Sequence, residues 1–378
     1  MLSPPSHVIA SLPVHVRSQP PARVDWRLQI PELQRRRLRI WLGSIAAMTA
    51  AVLVLGGITR LTHSGLSIVA WEPVVGMVPP LTDSQWLERF EAYRQFPEFQ
   101  QLRRGMTIEE FRGIFWWEYA HRVAARLIGL VFLIPLAVFW LSGQLTRPLA
   151  RRVAAIFGLG ALQGLMGWLM VQSGLVERPS VSHYRLAAHL SLAFVIFGAC
   201  VWLIRDLAAG PSRLTAAPEA RRVVRRGVAV LGVLLAAQVV WGALVAGLKA
   251  GFIYNTFPLM AGSLFSPNLG GLSADVRNFV ENPATVQWMH RLLGTLLLAA
   301  AWGVDFRVRR AEPDRVSARL SAALALLITA QYAVGILTLI CIVPIPLAVV
   351  HQVAALAVAG VWIVWLHHVG WPGKNLEP

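Results

Sequence analysis

The sequence predicts an all-α polytopic membrane protein, and three observations carry that prediction. The 378-residue chain is 56% hydrophobic and only 14% charged, too little charge to cover a soluble protein of this size. Its apolar residues gather into eight runs, each near the ~20 residues that cross a bilayer. Its basic residues fall between those runs in the alternation that a membrane topology requires.

The runs are Trp41–Ile58, Val123–Leu141, Val153–Val171, Leu186–Ile204, Val228–Leu248, Trp288–Val304, Leu320–Val343 and Ile345–Leu366. With the N-terminus in the cytoplasm, eight crossings return the C-terminus there. The inner segments then hold 22 Lys/Arg against 8 Asp/Glu, and the outer ones 13 against 11. Arg35, Arg36, Arg37 and Arg39 precede the first span, and Arg221, Arg222, Arg225 and Arg226 precede the fifth. The net charge of +16 is therefore a topology signal and a contact for anionic lipid, not a nucleic-acid footprint. Residues 1–34 are Pro-rich and lack a continuous apolar stretch, which predicts a flexible cytoplasmic tail rather than a secretory signal. Residues 371–378 form a second tail. The prolines also oppose the amphipathic helix of a mitochondrial presequence, so a bacterial inner membrane is the expected location. Cys200 and Cys341 fall at different depths, which argues against a disulfide.

The chain repeats itself. Glu118-Tyr-Ala-His121-Arg122 aligns with Gln287-Trp-Met-His290-Arg291 at an offset of 169, each followed by an apolar run. Gln163 and Gly167 recur as Gln331 and Gly335, and His189 recurs as His351 after 162 residues. Four crossings restore the original side, so the repeats are parallel. They predict two tandem four-helix bundles related by a pseudo-twofold axis along the membrane normal. The boundaries read as 35–220 and 221–370. Gly158, Gly160, Gly164 and Gly167, with Ala322, Ala323 and Ala325, are expected to let helices pack closely.

Two outer loops are long, 60–114 and 249–286. The first contains Ser84–Phe96, with Trp86, Phe90 and Tyr93 at helical spacing, expected on the membrane surface. Thr107 with Glu110 fits a capping box, so the second span should begin outside the lipid and carry Glu118 on its helix. The second loop holds Lys249, Asn255, Pro258, Pro267 and Asn268. Pro135 should kink the second span.

The candidate chemistry lies in His121, His189, His290 and His351, all at one end of their spans. A single histidine in a membrane helix is as often a packing residue as a functional one, but four at matching repeat positions form two facing pairs. No cysteine or second carboxylate joins either pair, and two imidazoles alone suit haem iron better than zinc. His7, His15, His63, His183, His367 and His368 show no such pattern. Glu118 lies one helical turn from His121, whereas the repeat has Gln287, which cannot ionise. One site therefore has a group able to take a proton or stabilise positive charge, unless Glu118 simply pairs with Arg122 or Arg126. Arg122 and Arg291 follow their histidines and suit haem propionates or lipid headgroups equally.

Over residues 35–370 the chain closely resembles the haem A synthase family. The resemblance rests on Gly-Gly-Ile-Thr-Arg-Leu-Thr-His-Ser-Gly-Leu-Ser (56–67) with the Trp-Glu-Pro after it, Glu-Tyr-Ala-His-Arg (118–122) and Gly-Ala-Leu-Val-Ala-Gly-Leu-Lys-Ala-Gly (242–251). Tyr-Asn-Thr-Phe-Pro-Leu-Met (254–260) and Trp-Met-His-Arg-Leu-Leu-Gly (288–294) extend it. It is nearest the proteobacterial and mitochondrial branch, lacking the first-loop cysteine pair of the other. The resemblance implies a reaction site in the N-terminal half, with His121 and His189 flanking haem O and Glu118 required for turnover. It implies a b-type haem between His290 and His351. The implied reaction oxidises a ring methyl to a formyl through an alcohol and a hydrated aldehyde, giving haem A for terminal oxidases. Implied partners are haem O synthase, oxidase assembly factors and an unidentified electron acceptor; lipid-facing aromatic stripes also allow a homo-oligomer. Two other readings compete: a quinol-oxidising di-haem cytochrome, in which both haems are permanent, and a haem exporter.

Overall fold

The computed structural model describes residues 26, 30–72, 75–176, 179–209, 214, 216–266 and 276–370. Most of the 1–34 tail, the 371–378 tail, and Pro267 and Asn268 of the second long loop lie outside the described residues. Among the described residues the chain forms eleven α-helices and no β-sheet. They are α1 (Glu32–Leu61), α2 (Asp83–Arg94), α3 (Pro97–Leu102), α4 (Ile108–Leu141), α5 (Arg147–Leu175), α6 (His183–Ala209), α7 (Pro218–Gly247), α8 (Asn278–Glu281), α9 (Pro283–Arg310), α10 (Arg315–Ile340) and α11 (Ile345–Val369).

Seven of them, α1, α4, α5, α6, α7, α10 and α11, are long and apolar enough to cross a membrane, which marks a multi-pass membrane protein. The expected span Trp288–Val304 is helical within the 28-residue α9. That helix is less continuously apolar, because His290, Arg291 and Asp305 interrupt its hydrophobic stretch.

Local chemistry sets the helix ends. Thr107 and Glu110 form the expected capping box, with Thr107 N–H donating to Glu110 Oε2 at 2.8 Å, so α4 starts well before His121 and runs on through Pro135. Thr82 and Gln85 cap α2 in the same way. Pro283 opens α9, and Asn282 accepts from Ala284 N–H at 3.1 Å. Asp314 caps α10 by accepting from Val316 and Ser317 N–H. At the far ends of α1 and α7, His63 and Lys249 both take a left-handed conformation, φ 53° and 54°, so the two loops leave their helices alike.

Helix α1 packs on α4 and α6, and α5 on α6; α7 packs on α9 and α11, and α10 on α9 and α11. Across the middle, α6 meets α7 and α11, and α1 meets α11. This central contact is tight: a Cβ at Gly57 of α1 would collide with Gln352 Oε1 of α11. At the opposite end from the four histidines, buried Asp206 of α6 pairs with His367 of α11 at 3.1 Å. Apolar clusters fill both groups of helices, one around Trp41, Phe132 and Leu203 and another around Leu231, Leu324 and Trp365.

Two expectations need correcting. Trp86, Phe90 and Tyr93 do not form a free apolar face on the membrane surface. They are buried against Phe111 and Phe115 of the protruding α4, because that aromatic stripe finds a partner within the chain. Gly158, Gly160 and Gly164 do not mediate close helix packing either. Only Gly167 of the α5 set meets a neighbour, and the other three face open space. Cys200 and Cys341 are free, as expected.

Candidate functional site

Each of the four histidines lies against a glycine on a neighbouring helix. A Cβ at Gly56 of α1 would come within 3.0 Å of His121 Nε2, and one at Gly242 of α7 within 3.0 Å of His290 Cε1. A Cβ at Gly167 of α5 would lie 3.1 Å from His189 Cε1, and one at Gly335 of α10 2.8 Å from His351 Cε1. Real Cβ atoms essentially never come closer than 3.0 Å. Glycine is thus what lets each ring lie against the next helix, and the same device recurs in both repeats.

Glutamines supply the next layer. Gln163 Nε2 approaches His189 Nε2 at 3.3 Å, Gln238 Nε2 approaches His290 Nε2 at 3.4 Å, and Gln331 donates to the His351 carbonyl at 2.9 Å. The rings nevertheless keep an unmet need. Nδ1 of His189, His290 and His351 is buried with no hydrogen-bond partner. A buried imidazole nitrogen without a partner is costly, and a metal is one way to satisfy it. His121 lies within electrostatic reach of His189, and His290 of His351. Among the described residues no group of three or more His, Cys, Asp or Glu could hold a metal ion by itself. Two imidazoles with no third protein ligand suit a metal that brings its own equatorial ligands, as haem does.

Glu118 is 2% exposed and its carboxylate is fully engaged. Oε2 accepts from Ser67 Oγ at 2.7 Å and from Ile68 N–H at 2.8 Å. Oε1 accepts from Arg122 Nε at 3.0 Å and Nη2 at 2.7 Å. Arg122 goes on to donate to the carbonyls of Ile68 and Ala70. Together they clamp the loop after α1 down onto α4, within one helical turn of His121 in sequence. In the second repeat Gln287 donates to the Tyr254 carbonyl, and Arg291 donates to the carbonyls of Tyr254, Thr256 and Leu259. Each arginine, next in sequence to its histidine, therefore holds loop backbone, and among the described residues only the first of these two networks contains a carboxylate.

Among the described residues the remaining histidines do not join these groups, and His7 and His15 lie outside the described residues. His63 is exposed in the loop after α1, and His183 starts α6 against Gly247 of α7. His368 pairs with Asp314 at 3.0 Å. Sequence reasoning missed the contacts of Gly56 and Gly242, the role of Gln238 and the Asp206–His367 pair. Gly56 and Gly242 each occupy a conspicuous Gly-rich stretch, which was the available signal.

Comparison with known proteins places the chain in a family. The model of the COX15-CtaA family, described as a cytochrome oxidase assembly protein, matches residues 39–363. Heme A synthase from Rhodospirillum centenum is 45% identical over 335 residues, 88% of each chain. Its counterpart from Sinorhizobium fredii is 45% identical over 344 residues, 91% of this chain and 92% of the relative. That from Chelativorans sp. is 46% identical over 329 residues, 86% and 90% of the two. On the four seated histidines and this similarity over nearly its whole length, the chain belongs to the COX15-CtaA family of cytochrome oxidase assembly proteins, the haem A synthases.

Proposed function

We propose that this chain is a haem A synthase that oxidises a ring methyl of haem O to a formyl through an alcohol, giving haem A for terminal oxidases. The observation that carries the reading is the duplicated pair of glycine-seated histidines with, among the described residues, a carboxylate beside one pair only. The relatives named heme A synthase supply the identity of the reaction.

On this reading eight helices cross the membrane, α9 among them, as two four-helix halves, 35–220 and 221–370, about an axis along the membrane normal. The matching left-handed exits of α1 and α7 and the reciprocal contacts of α6 with α7 and α1 with α11 support that symmetry. Both termini are cytoplasmic and the histidine end faces the periplasm of a bacterial inner membrane, the side on which the basic residues are fewest.

His290 and His351 hold a b-type haem, whose chemistry when bound is to carry single electrons. His121 and His189 flank the substrate haem O. Arg122 and Arg291 hold the loop backbone over the two sites, excluding water and leaving further N–H capacity for propionates. Glu118 accepts four hydrogen bonds, from Ser67, Ile68 and Arg122, which hold its carboxylate in one place. That placement suits it to stabilise positive charge as it develops on the reacting porphyrin. The di-haem relay reading requires no such asymmetry between the halves.

The test is to express the chain beside a haem O supply, extract pigments and separate them. Wild type should yield haem A, and Glu118→Gln should keep bound haem while haem O or its alcohol accumulates. A Glu118→Gln variant that makes as much haem A as wild type would remove the enzyme reading of the asymmetry.

A further inference from the structure

The two halves close their last helix seam differently. In the C-terminal half α9 and α10 pack along their length. Gly294 seats the ring of Tyr332, Thr295 Oγ1 and Tyr332 OH lie 2.9 Å apart, and Trp302 Nε1 donates to Thr329 Oγ1 at 3.1 Å. Ile328 is buried there, and Leu298 packs on the same core. The equivalent helices α4 and α5 share no such seam among the described residues. They touch where Phe132 meets Phe157, ring centroids 5.7 Å apart. Nearer the histidines, Trp71 of the loop covers Trp168 of α5 at 6.2 Å.

Between those two contacts the repeat replaces every closing residue. At the offset of 169, Leu298 becomes Gly129 and Thr295 becomes Arg126; at 168, Ile328 becomes Gly160, Thr329 becomes Ala161 and Tyr332 becomes Gly164. A Cβ on Gly129, Gly160 or Gly164 would meet nothing within 4 Å. Arg126 turns away to the carbonyls of Glu72 and Gly76. Helical spacing puts Gly129 on the face of Phe132, and Gly160 and Gly164 on the face of Phe157, the two residues that do touch. Gly160 shares its face with Gln163 and Gly167, which meet His189, so the opening leads to that histidine. Helices α4 and α5 bury 11% of their apolar stretches, against 22–33% for the other five apolar helices.

We propose that the gap between α4 and α5 is a lateral portal through which the substrate porphyrin enters from the bilayer, and the groove that lodges its isoprenoid chain. The proposal rests on the haem O reading above. A substrate with a long apolar tail reaches a membrane site through lipid and must leave again as product, so its half needs an opening. A resident haem needs neither, so its half is sealed by Ile328, Tyr332 and Thr329. The three glycines are the space left for the tail.

The test grafts the closed seam onto the open one, Gly160→Ile with Gly164→Tyr, in the full chain carried in lipid nanodiscs. A Cβ at either position meets nothing within 4 Å, so the added side chains have room to extend into the gap and the fold and the resident haem b should be retained. The expected result is a KM for haem O raised at least about tenfold, with binding of tail-less haem B in the N-terminal half little changed. Gly303→Tyr on α9, another glycine with nothing within 4 Å, should leave KM as in wild type. An unchanged KM in the graft or an equal effect from Gly303→Tyr would overturn the portal, and equal weakening of haem O and haem B would overturn the groove for the tail. If the double variant loses haem b, Gly164→Tyr alone is read against the same outcomes. A wild-type protein that converts no haem O would instead overturn the enzyme reading.

Discussion

Replacing Gly335 with alanine should damage the haem held by His290 and His351 without altering any ligand. The added Cβ would sit 2.8 Å from His351 Cε1, about 0.6 Å inside the 3.4 Å at which ordinary contact begins. The atom it meets belongs to a ring attached to the adjacent, closely packed α11, so the imidazole must turn or the helices must part. Overpacking of this kind typically costs about 1–3 kcal/mol, which corresponds to roughly 5- to 150-fold in haem retention if the whole strain falls on the ligand. The assay is the rate of haem loss from purified protein to an excess of apomyoglobin, with the electron paramagnetic resonance signal of the ferric haem as a report of ring orientation. Three of the four seats predict a ranking. Gly335→Ala should be worst, Gly242→Ala at 3.0 Å milder for the same haem, and Gly167→Ala at 3.1 Å mildest, acting on substrate binding. Gly158→Ala, with nothing within 4 Å, should be silent. Wild-type retention and spectrum in Gly335→Ala, or equal damage from Gly158→Ala, would refute the argument that glycine seats the ligands.

Three further outcomes follow from the same geometry. Glu118→Gln should lower haem A formation by at least about 10²-fold, as expected for loss of a preorganised charge at the reacting centre, while haem b content measured by pyridine haemochrome stays at the wild-type level. Arg291→Gln removes donors to the carbonyls of Tyr254, Thr256 and Leu259, so limited proteolysis should cut the 249–262 loop faster and haem b should be lost more readily. Burial pushes the Glu98 carboxyl up to about 7, opposed by Arg103 and by its hydrogen bond from Tyr93. An acid whose folded pKa is raised is better tolerated protonated. The α2–α3 cap should therefore be tightest below about pH 4.5, the ordinary carboxyl value, and loosen as pH rises through 7. Hydrogen exchange of Trp86 and Phe90 amides reports this, and Glu98→Gln should abolish the pH dependence.

What could be read from the chain depended on how local the signal was. The seven apolar helices, the Thr107–Glu110 cap and the repeat of Glu118-Tyr-Ala-His against Gln287-Trp-Met-His are periodic or contiguous features, and composition alone exposes them. The pairing of Gly56 with His121 or Gly335 with His351 is not local, because nothing within α1 or α10 says which side chain the next helix will bring to it. The same limit explains the misreading of Gly160 and Gly164. Small residues permit close approach, but only the neighbouring helix decides whether an approach occurs. Trp86, Phe90 and Tyr93 had the right period for an amphipathic helix, yet period does not distinguish lipid from Phe111 and Phe115 as the partner. Arg122 and Arg291 were legible as cations beside their histidines, whereas their use in holding loop carbonyls needed the folded loops.

The central claim, that the two histidine pairs serve separate haems with separate tasks, is met most directly by measuring resident haem and haem A formation in four single variants. His290→Ala and His351→Ala should lose the tightly bound b-type haem. His121→Ala and His189→Ala should keep it and fail to convert haem O. Loss of the same haem in all four variants, or full conversion in the His121→Ala protein, would contradict the account.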